Sequence, residues 1–177
     1  MNTAQTLLIP FEEYFKTSFI DKQDMRYLGN KTKLLQVIQE FLADKGLNQQ
    51  GMTFCDLFAG TSTVGDFFQD TYRILANDSL YASFALSVGR LCQPCVFHEL
   101  GFDPFEHFNE VNTEDYVQGF CYNNFAPTIS GRMYFSDENA KKIDYIRDTI
   151  DQWFVENRIS EEEKYYLIAC LLESVSK

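Results

Sequence analysis

The chain has 177 residues, 45% of them hydrophobic, and its formal net charge at pH 7 is -11. This composition excludes a disordered chain, because the apolar side chains suffice to bury a core. The lack of any run of about 18 apolar residues excludes a membrane-spanning helix. Residues 51–136 hold ten acidic side chains and three arginines, so this chain alone is poorly suited to binding DNA through its phosphates.

The N-terminal segment, MNTAQTLLIPFEEYF, has no basic flank, long apolar stretch or small-residue cleavage site. We therefore expect no signal peptide and a cytoplasmic location. Residues 31–45 then carry apolar side chains at helical spacing, and Gly46 supplies a C-terminal stop. The expected apolar face of this helix consists of Leu34, Leu35, Ile38, Phe41 and Leu42.

Two short strands are predicted next, separated by a glycine turn and a helix. The apolar run at 52–58 predicts a buried strand, and a helix is expected from Val64 to about Asp70. Tyr72–Ala76 predicts the second strand, after which Asp78 is placed to cap a helix over residues 79–91. This order is the opening half of a doubly wound α/β unit, whose ligands bind beyond the C-terminal ends of the strands.

The second half of the chain is predicted to be mainly helical. Residues 92–135 show no clear periodicity and are interpreted as an irregular connecting region, whereas residues 136–157 predict a long helix beginning at Ser136. Ser160 and Glu163 form a capping box for a last helix. The apolar positions expected to face the core are Ile143, Ile146, Ile150, Trp153 and Phe154 in the first helix, and Ile168, Leu171, Leu172 and Val175 in the second.

The glycine turn at residues 59–60 has the features of an adenosine-binding turn. It exposes backbone N–H groups at a helix start, and Gly60 permits close approach of a ligand. Asp78, 18 residues after Gly60, is placed to accept hydrogen bonds from both ribose hydroxyls. NAD and ATP are disfavoured, because Ser62 replaces the second glycine of the dinucleotide fingerprint and no Gly-Lys-Ser/Thr follows. The alternative is a turn that only connects a strand to a helix.

Three motifs in order decide between these alternatives. RYLGNKTK at 26–33, DLFAGTSTVGDFF at 56–68 and ANDSLYAS at 76–83 together resemble the adenine-specific DNA methyltransferases of the DNA adenine methylase class. RMYFSDENAKKIDYIR at 132–147 resembles the region that precedes the catalytic motif in one subgroup. The resemblance covers about residue 25 to the end. It implies an α/β chain with a partial Rossmann-like, S-adenosylmethionine-dependent methyltransferase fold and added helices.

The resemblance also implies an organisation and a set of cofactor contacts. It implies one methyltransferase domain over 1–177, with a cofactor-binding core at 25–91, the connecting region at 92–135 and a helical pair at 136–177. Lys31 would lie near the cofactor carboxylate; the alternative is a solvated charge, although its sign at a helix start is unfavourable. The residues implied in binding S-adenosylmethionine are Tyr27, Lys31, Asp56, Phe58, Ala59, Gly60, Thr61, Ser62, Thr63, Asp78 and Ser79. Either Ser79 or Leu80 would lie beside the adenine.

One position within the turn departs from the family pattern. Ser62 stands where the family usually has glycine, so its Cβ is expected either to crowd the cofactor or to require a different backbone angle. We expect weakened rather than abolished cofactor binding.

The catalytic tetrapeptide of the family, Asp-Pro-Pro-Tyr, is absent from these 177 residues. The four prolines are never adjacent, and the nearest approximation, at 124–127, lacks the double proline. In family members this motif accepts hydrogen bonds from the adenine amine and stacks on the extruded base. We therefore assign no catalytic residue to this chain and expect DNA to be bound through a complete enzyme, with a C-terminal part or a second chain supplying the motif.

Two alternatives to the cofactor-binding part of a methyltransferase stay open. One is a non-catalytic cofactor-binding or interaction module, and the other is a degenerate remnant. A half-sheet exposes an edge and an apolar face, so self-association or a partner is also expected.

The five cysteines, an odd number, argue against a disulfide framework. Cys92 and Cys95 are compatible with a redox pair or, with His98 and Cys121, a zinc site. The pair follows a helical pattern and no second C-x-x-C exists, so we favour no metal and no redox role.

Overall fold

A computed structural model of the chain describes residues 31–92 and 97–176. Of these, residues 31–92 and 165–176 form one compact unit, here called the sheet unit, and residues 97–164 form a second, the helical unit. The chain mixes helices with a small sheet, which has two parallel strands in the described residues. No helix in the described ranges is long and apolar enough to cross a membrane.

The sheet unit begins with a single 3-10 turn, Thr32–Leu34, and helix α1, Leu35–Asp44. The helix ends before Gly46, which has a φ of +66°, as the sequence predicts. Its predicted apolar face is only partly correct, because Leu34 and Phe41 are more than half exposed. The side chains that reach the core are Leu35, Ile38 and Leu42.

Strands β1, Thr53–Asp56, and β2, Arg73–Ala76, pair in parallel register, with Asp56 opposite Ala76. Phe54 and Ile74 pack against the core of Leu35, Val64, Phe68 and Tyr72. The prediction of a buried strand at 52–58 is wrong for the other face of the sheet, where Cys55 and Leu75 are exposed. Parallel sheets usually carry cover on both faces, and the described residues cover one.

Helices α2, Thr63–Phe68, and α3, Tyr81–Leu91, follow the two strands. Helix α3 begins two residues later than predicted, with Leu80 rather than Asp78 at its N-cap position. Gly65 lets α2 approach closely: a Cβ there would lie 3.1 Å from Ile74 Cγ2 and 3.3 Å from Leu91 Cδ2. This glycine therefore serves helix–strand packing rather than ligand contact.

The helical unit contains short helices in the segment for which no element was predicted. They are α4 (Pro104–Glu110), α5 (Phe120–Phe125) and α6 (Pro127–Ser130). The Asp103 side chain accepts a hydrogen bond from the Phe105 N–H at 2.8 Å, and Pro104 occupies the first position of α4. The segment lacks long-range periodicity because its helices are too short to show a repeating face.

Helix α7, Asp137–Val155, confirms the long predicted helix, and Ser136 caps it by accepting a hydrogen bond from the Asn139 N–H at 3.1 Å. Ile143, Ile146, Ile150 and Trp153 are buried as predicted. Trp153 stacks on Phe108 of α4, with ring centroids 5.2 Å apart.

Helix α8, Glu161–Val175, confirms the predicted capping box. The Ser160 N–H donates to Glu163 Oε2 at 2.7 Å, and the Glu163 N–H donates to Ser160 Oγ at 3.2 Å. The helix begins in the helical unit and belongs to the sheet unit from Tyr165 onwards. There Glu173 accepts a 2.8 Å hydrogen bond from the Arg90 guanidinium of α3. The sequence did not predict this ion pair, because its two residues lie far apart in the chain.

A buried carboxylate organises the N-terminal end of α5. Asp144 of α7 is 1% exposed and accepts hydrogen bonds from the backbone N–H groups of Gly119, Cys121 and Tyr122 at 3.0, 2.8 and 2.9 Å. These donors belong to the first turn of a helix, where backbone N–H groups lack helical partners. Asp144 therefore fixes α5 on α7, and no sequence pattern indicated this contact.

We predict that Asp144→Asn lowers the free energy of unfolding by about 1–3 kcal/mol, because an amide nitrogen would face a buried backbone donor. Urea denaturation of the chain measures this difference. The matched control is Asp148→Asn, at an exposed position of the same helix, which is expected to change stability by less than about 0.5 kcal/mol. Equal effects of the two substitutions would contradict the role assigned to Asp144.

Candidate functional site

The hydrogen-bond ladder between the strands continues beyond their C-terminal ends. The Asn77 N–H donates to the Asp56 carbonyl at 2.8 Å, and the Ala59 N–H donates to the Asn77 carbonyl at 3.0 Å. The Asn77 side-chain amide also donates to the Leu57 carbonyl at 3.1 Å. The segment after β1 is therefore held beside the segment after β2, which places the glycine turn next to Asp78.

Asp78 is bound to the glycine turn itself. Its Oδ2 accepts from the Gly60 N–H at 2.9 Å and its Oδ1 accepts from the Leu80 N–H at 3.0 Å. These backbone hydrogen bonds, the Leu80 bond first and then the Gly60 bond, hold the pKa of Asp78 below its usual value. The carboxylate is ionised at neutral pH, and each oxygen has remaining capacity to accept a further hydrogen bond.

Lys31 lies at the same turn, although 27 residues separate it from Phe58 in sequence. Its Nζ donates to the Phe58 carbonyl at 2.6 Å. The structure thus brings the predicted cation to the predicted glycine turn, rather than leaving it as an isolated charge at a helix start. Tyr27, the other residue implied from the same motif, lies outside the described residues.

Asp56 ends β1 with one carboxylate oxygen unused. Its Oδ1 accepts from the Phe58 N–H at 3.2 Å, whereas its Oδ2 is buried and has no hydrogen-bond partner among the described residues. A buried carboxylate oxygen without a donor is unfavourable, so this oxygen retains capacity to accept a hydrogen bond from a donor that reaches it.

The turn residues divide into buried and exposed sets. Ala59, Gly60, Thr61 and Ser62 are buried, and the Thr61 and Thr63 hydroxyls share a 2.8 Å hydrogen bond. Phe58 is 77% exposed, and Ser79 and Leu80 are also exposed. The side chains free to touch a ligand are therefore those flanking the turn, whereas the turn residues themselves are enclosed.

Ser62 adopts the left-handed conformation that normally favours glycine, with φ +57° and ψ +20°. The residue is 0% exposed, and its side chain makes a hydrogen bond with the Ser87 hydroxyl of α3. The sequence raised two concerns, and the structure does not show one of them, a backbone angle different from that of glycine: Ser62 keeps a left-handed, glycine-like angle and bears its strain. Crowding of a ligand by Ser62 is not supported, since its side chain is directed into the protein.

Ser87 belongs to this site and sequence reasoning missed it. No motif marks the residue. The one available signal is that Ser83 and Ser87 are spaced by one helical turn on α3, a spacing that places both on one face.

The cysteines do not form a metal centre in the described part of the chain. No group of three or more His, Cys, Asp or Glu side chains is arranged to hold a metal ion there. Cys95 lies outside the described residues. Cys121 is buried in α5, and burial, followed by the nearby Asp144 carboxylate, raises the pKa of its thiol. A protonated thiol is a poor metal ligand.

Residues 27–177 match the family model of the D12 class N6 adenine-specific DNA methyltransferases. The chain belongs to this family. The match spans the glycine turn, Asp78 and the helical segments, and so confirms the resemblance inferred from the motifs. Among solved structures, none matches the chain at a significant level.

Curated relatives are also methylases. The chain is 43% identical over 159 residues to modification methylase LlaI of Lactococcus lactis subsp. lactis, covering 86% of this chain and 25% of the relative. It is 37% identical over 158 residues to type II methyltransferase M.FokI of Planomicrobium okeanokoites, covering 85% and 24%. For type II methyltransferase M.NlaIII of Neisseria lactamica, identity is 34% over 158 residues, covering 86% and 46%. The chain thus spans about a quarter to half of these relatives' length.

We predict that Ser62→Ala destabilises the chain more than Ser62→Gly does. Alanine keeps the left-handed strain of roughly 1 kcal/mol and loses the Ser87 hydrogen bond, whereas glycine loses the bond but relieves the strain. Urea denaturation should therefore show a difference of about 1 kcal/mol between the two variants. Greater stability of the alanine variant would contradict the left-handed geometry.

We predict that the Asp78 carboxyl titrates below the value of about 3.9 usual for aspartate. Because its folded-state pKa is depressed, its contribution to stability is present above about pH 3.9 and is lost as pH falls through the lower folded value. A side-chain NMR titration measures the pKa, and unfolding of wild type and Asp78→Asn across this range measures the contribution. A titration at or above the usual value would refute the two backbone hydrogen bonds.

Proposed function

We propose that this chain is the S-adenosylmethionine-binding part of an N6-adenine DNA methyltransferase of a restriction-modification or related system. We further propose that the sheet unit, with the core at 25–91, is the cofactor-binding part of a Rossmann-like methyltransferase fold. The observation that carries this proposal is the convergence of Lys31, Asp56 and Asp78 at one glycine turn.

The charged groups at the turn match the three ends of the cofactor. Lys31 supplies a cation for the methionine carboxylate, and the unpartnered Oδ2 of Asp56 supplies an acceptor for the methionine ammonium group. Asp78, with acceptor capacity remaining on both oxygens, suits the paired hydroxyls of a ribose. The residues present therefore fit the cofactor that the family uses.

The exposed side chains around the turn suit the apolar parts of the cofactor. Phe58 and Leu80 flank the turn on the exposed side, where an adenine ring or the methionine chain would find contact. Ala59, Thr61 and Ser62 are buried as whole residues, so their contribution to binding is to hold the turn in place. When bound, S-adenosylmethionine supplies an electrophilic methyl group.

Methyl transfer itself requires groups outside these 177 residues. An exocyclic amine is a weak nucleophile and needs acceptors for its hydrogen bonds, which the family supplies from Asp-Pro-Pro-Tyr. We propose that this tetrapeptide, together with the DNA-facing surface, is supplied by further polypeptide, either in the same protein or in a second chain. This chain spans about a quarter to half of the relatives' length, so the relatives have additional residues that could carry such groups.

The face of the sheet that the described residues leave uncovered supports such a partner. Cys55 and Leu75 are exposed on β1 and β2, at positions that a parallel sheet normally buries. Further strands or helices of a methyltransferase polypeptide would cover this face. Self-association of the chain is the competing way of covering it, and light scattering of the isolated chain distinguishes the two.

We predict that the chain binds S-adenosylmethionine and that Lys31→Met weakens binding about tenfold, because it removes the cation facing the carboxylate. Isothermal titration calorimetry measures both affinities. The control is Lys33→Met, which removes an exposed lysine two residues away and is expected to leave the affinity unchanged. No binding by the wild-type chain would overturn the proposed function.

The expected lack of catalytic groups is tested by measuring methyl transfer with the same protein preparation, labelled S-adenosylmethionine and adenine-containing duplex DNA. The chain alone is expected to transfer no methyl group, whereas addition of a polypeptide that carries Asp-Pro-Pro-Tyr from a relative is expected to give transfer to adenine N6. Transfer by the chain alone would refute the statement that it lacks the catalytic groups.

A further inference from the structure

We propose that Ser87 is a positioning residue for the cofactor, acting through a hydrogen bond that locks Ser62 and thereby fixes the glycine turn. This inference rests on the proposed function. It assigns a role to the serine at the position where the family usually has glycine, and to a helix α3 residue that no motif marks.

Two hydrogen bonds connect Ser62, Ser87 and Ser83, and we call this connection the lock. The Ser62 hydroxyl bonds the Ser87 hydroxyl, and the Ser87 hydroxyl donates to the Ser83 carbonyl at 2.9 Å. Each hydroxyl has a single proton, so the Ser87 proton is committed to Ser83 and Ser62 acts as the donor to Ser87. The chain of hydrogen bonds therefore runs from the turn into the first half of α3, and each bond polarises the next.

The backbone N–H and carbonyl groups of Ser62 also make hydrogen bonds. Its N–H donates to the Ala59 carbonyl at 2.8 Å, and its carbonyl accepts from the Asp66 N–H at 2.9 Å. Ser62 is thus the junction between the turn at Ala59–Gly60 and the first turn of α2. Anchoring its side chain to α3 fixes the direction of the backbone on both sides of it.

The same anchoring keeps the ligand side of the turn free of a side chain. Ser62 is fully buried and its side chain bonds Ser87, so that side chain does not occupy the ligand side of the turn. The hydrogen bond also limits the freedom that a glycine would have. We therefore expect serine at this position to preserve cofactor binding as long as Ser87 is present.

The deciding experiment is a double-mutant cycle with Ser62→Ala, Ser87→Ala and the double variant, read by calorimetry with S-adenosylmethionine. Each single substitution is expected to weaken binding on the order of threefold to tenfold. The double variant is expected to bind no more weakly than either single variant, because both remove the same bond. Additive losses would overturn the proposal.

Amide hydrogen exchange without cofactor supplies a second readout. Ser87→Ala is expected to accelerate exchange of the Ser62 and Asp66 N–H groups, which lie on a different element from the substitution. Unchanged exchange would overturn the lock. If wild-type chain binds no S-adenosylmethionine, the proposed function and the cofactor role of Ser87 both fail, whereas the exchange result still decides whether the lock exists.

Two further variants control for the general loss of a buried hydroxyl and for failure of Ser87→Ala to fold. Ser174→Ala removes a buried helical hydroxyl that donates to its own helix at Leu171, and it is expected to leave affinity and turn exchange unchanged. Should Ser87→Ala not fold, Ser87→Cys keeps the side-chain volume with a much weaker donor and acceptor and is expected to show the same losses. Wild-type affinity in Ser87→Cys would refute the positioning role.

Discussion

The parallel pairing of β1 and β2 is the constraint on which the rest of the sheet unit depends. Its register sets Asp56 beside Ala76, and the ladder runs on until the Gly60 N–H meets the Asp78 carboxylate. A one-residue shift of either strand would turn Phe54 or Ile74 away from the core and separate the turn from Asp78. The packing that specifies the core therefore also specifies the site.

Within the described residues, the sheet that carries the glycine turn is packed on one face. Helix α1 and helix α2 pack the inner face of the sheet through Leu35, Val64 and Phe68, and Gly65 allows the close approach. The opposite face carries Cys55 and Leu75 without cover from the described residues. A family member that binds cofactor on such a sheet is expected to gain rigidity when further polypeptide covers that face.

Two polar contacts, each made by a buried residue, stabilise segments that hydrophobic packing alone leaves undetermined. In the helical unit, Asp144 satisfies three backbone donors at the start of α5. In the sheet unit, the Ser62–Ser87 hydrogen bond offsets the strain of a left-handed serine. Both act by supplying partners to groups that burial has removed from water, and both join residues more than twenty positions apart.

The sequence by itself determined the order of the elements from α1 to α3, the two long helices α7 and α8 with their N-terminal caps, the family, and the residue types of the glycine turn. These follow from local rules: apolar periodicity, capping boxes and motifs whose residues lie close in the chain. Helix boundaries were less well predicted where a capping residue has other possible partners. Asp78 was expected to cap α3, but it accepts hydrogen bonds from the Gly60 and Leu80 N–H groups, and the helix begins at Tyr81.

Only the tertiary structure decided which long-range partners these residues have. It placed Lys31 on the Phe58 carbonyl, left Asp56 Oδ2 without a partner in the described residues, and directed Ser62 into α3 rather than towards a ligand. The physical reason is that a hydrogen bond between distant residues leaves no periodic trace in the sequence. Its existence depends on strand register and helix packing, which arise only when the whole unit folds.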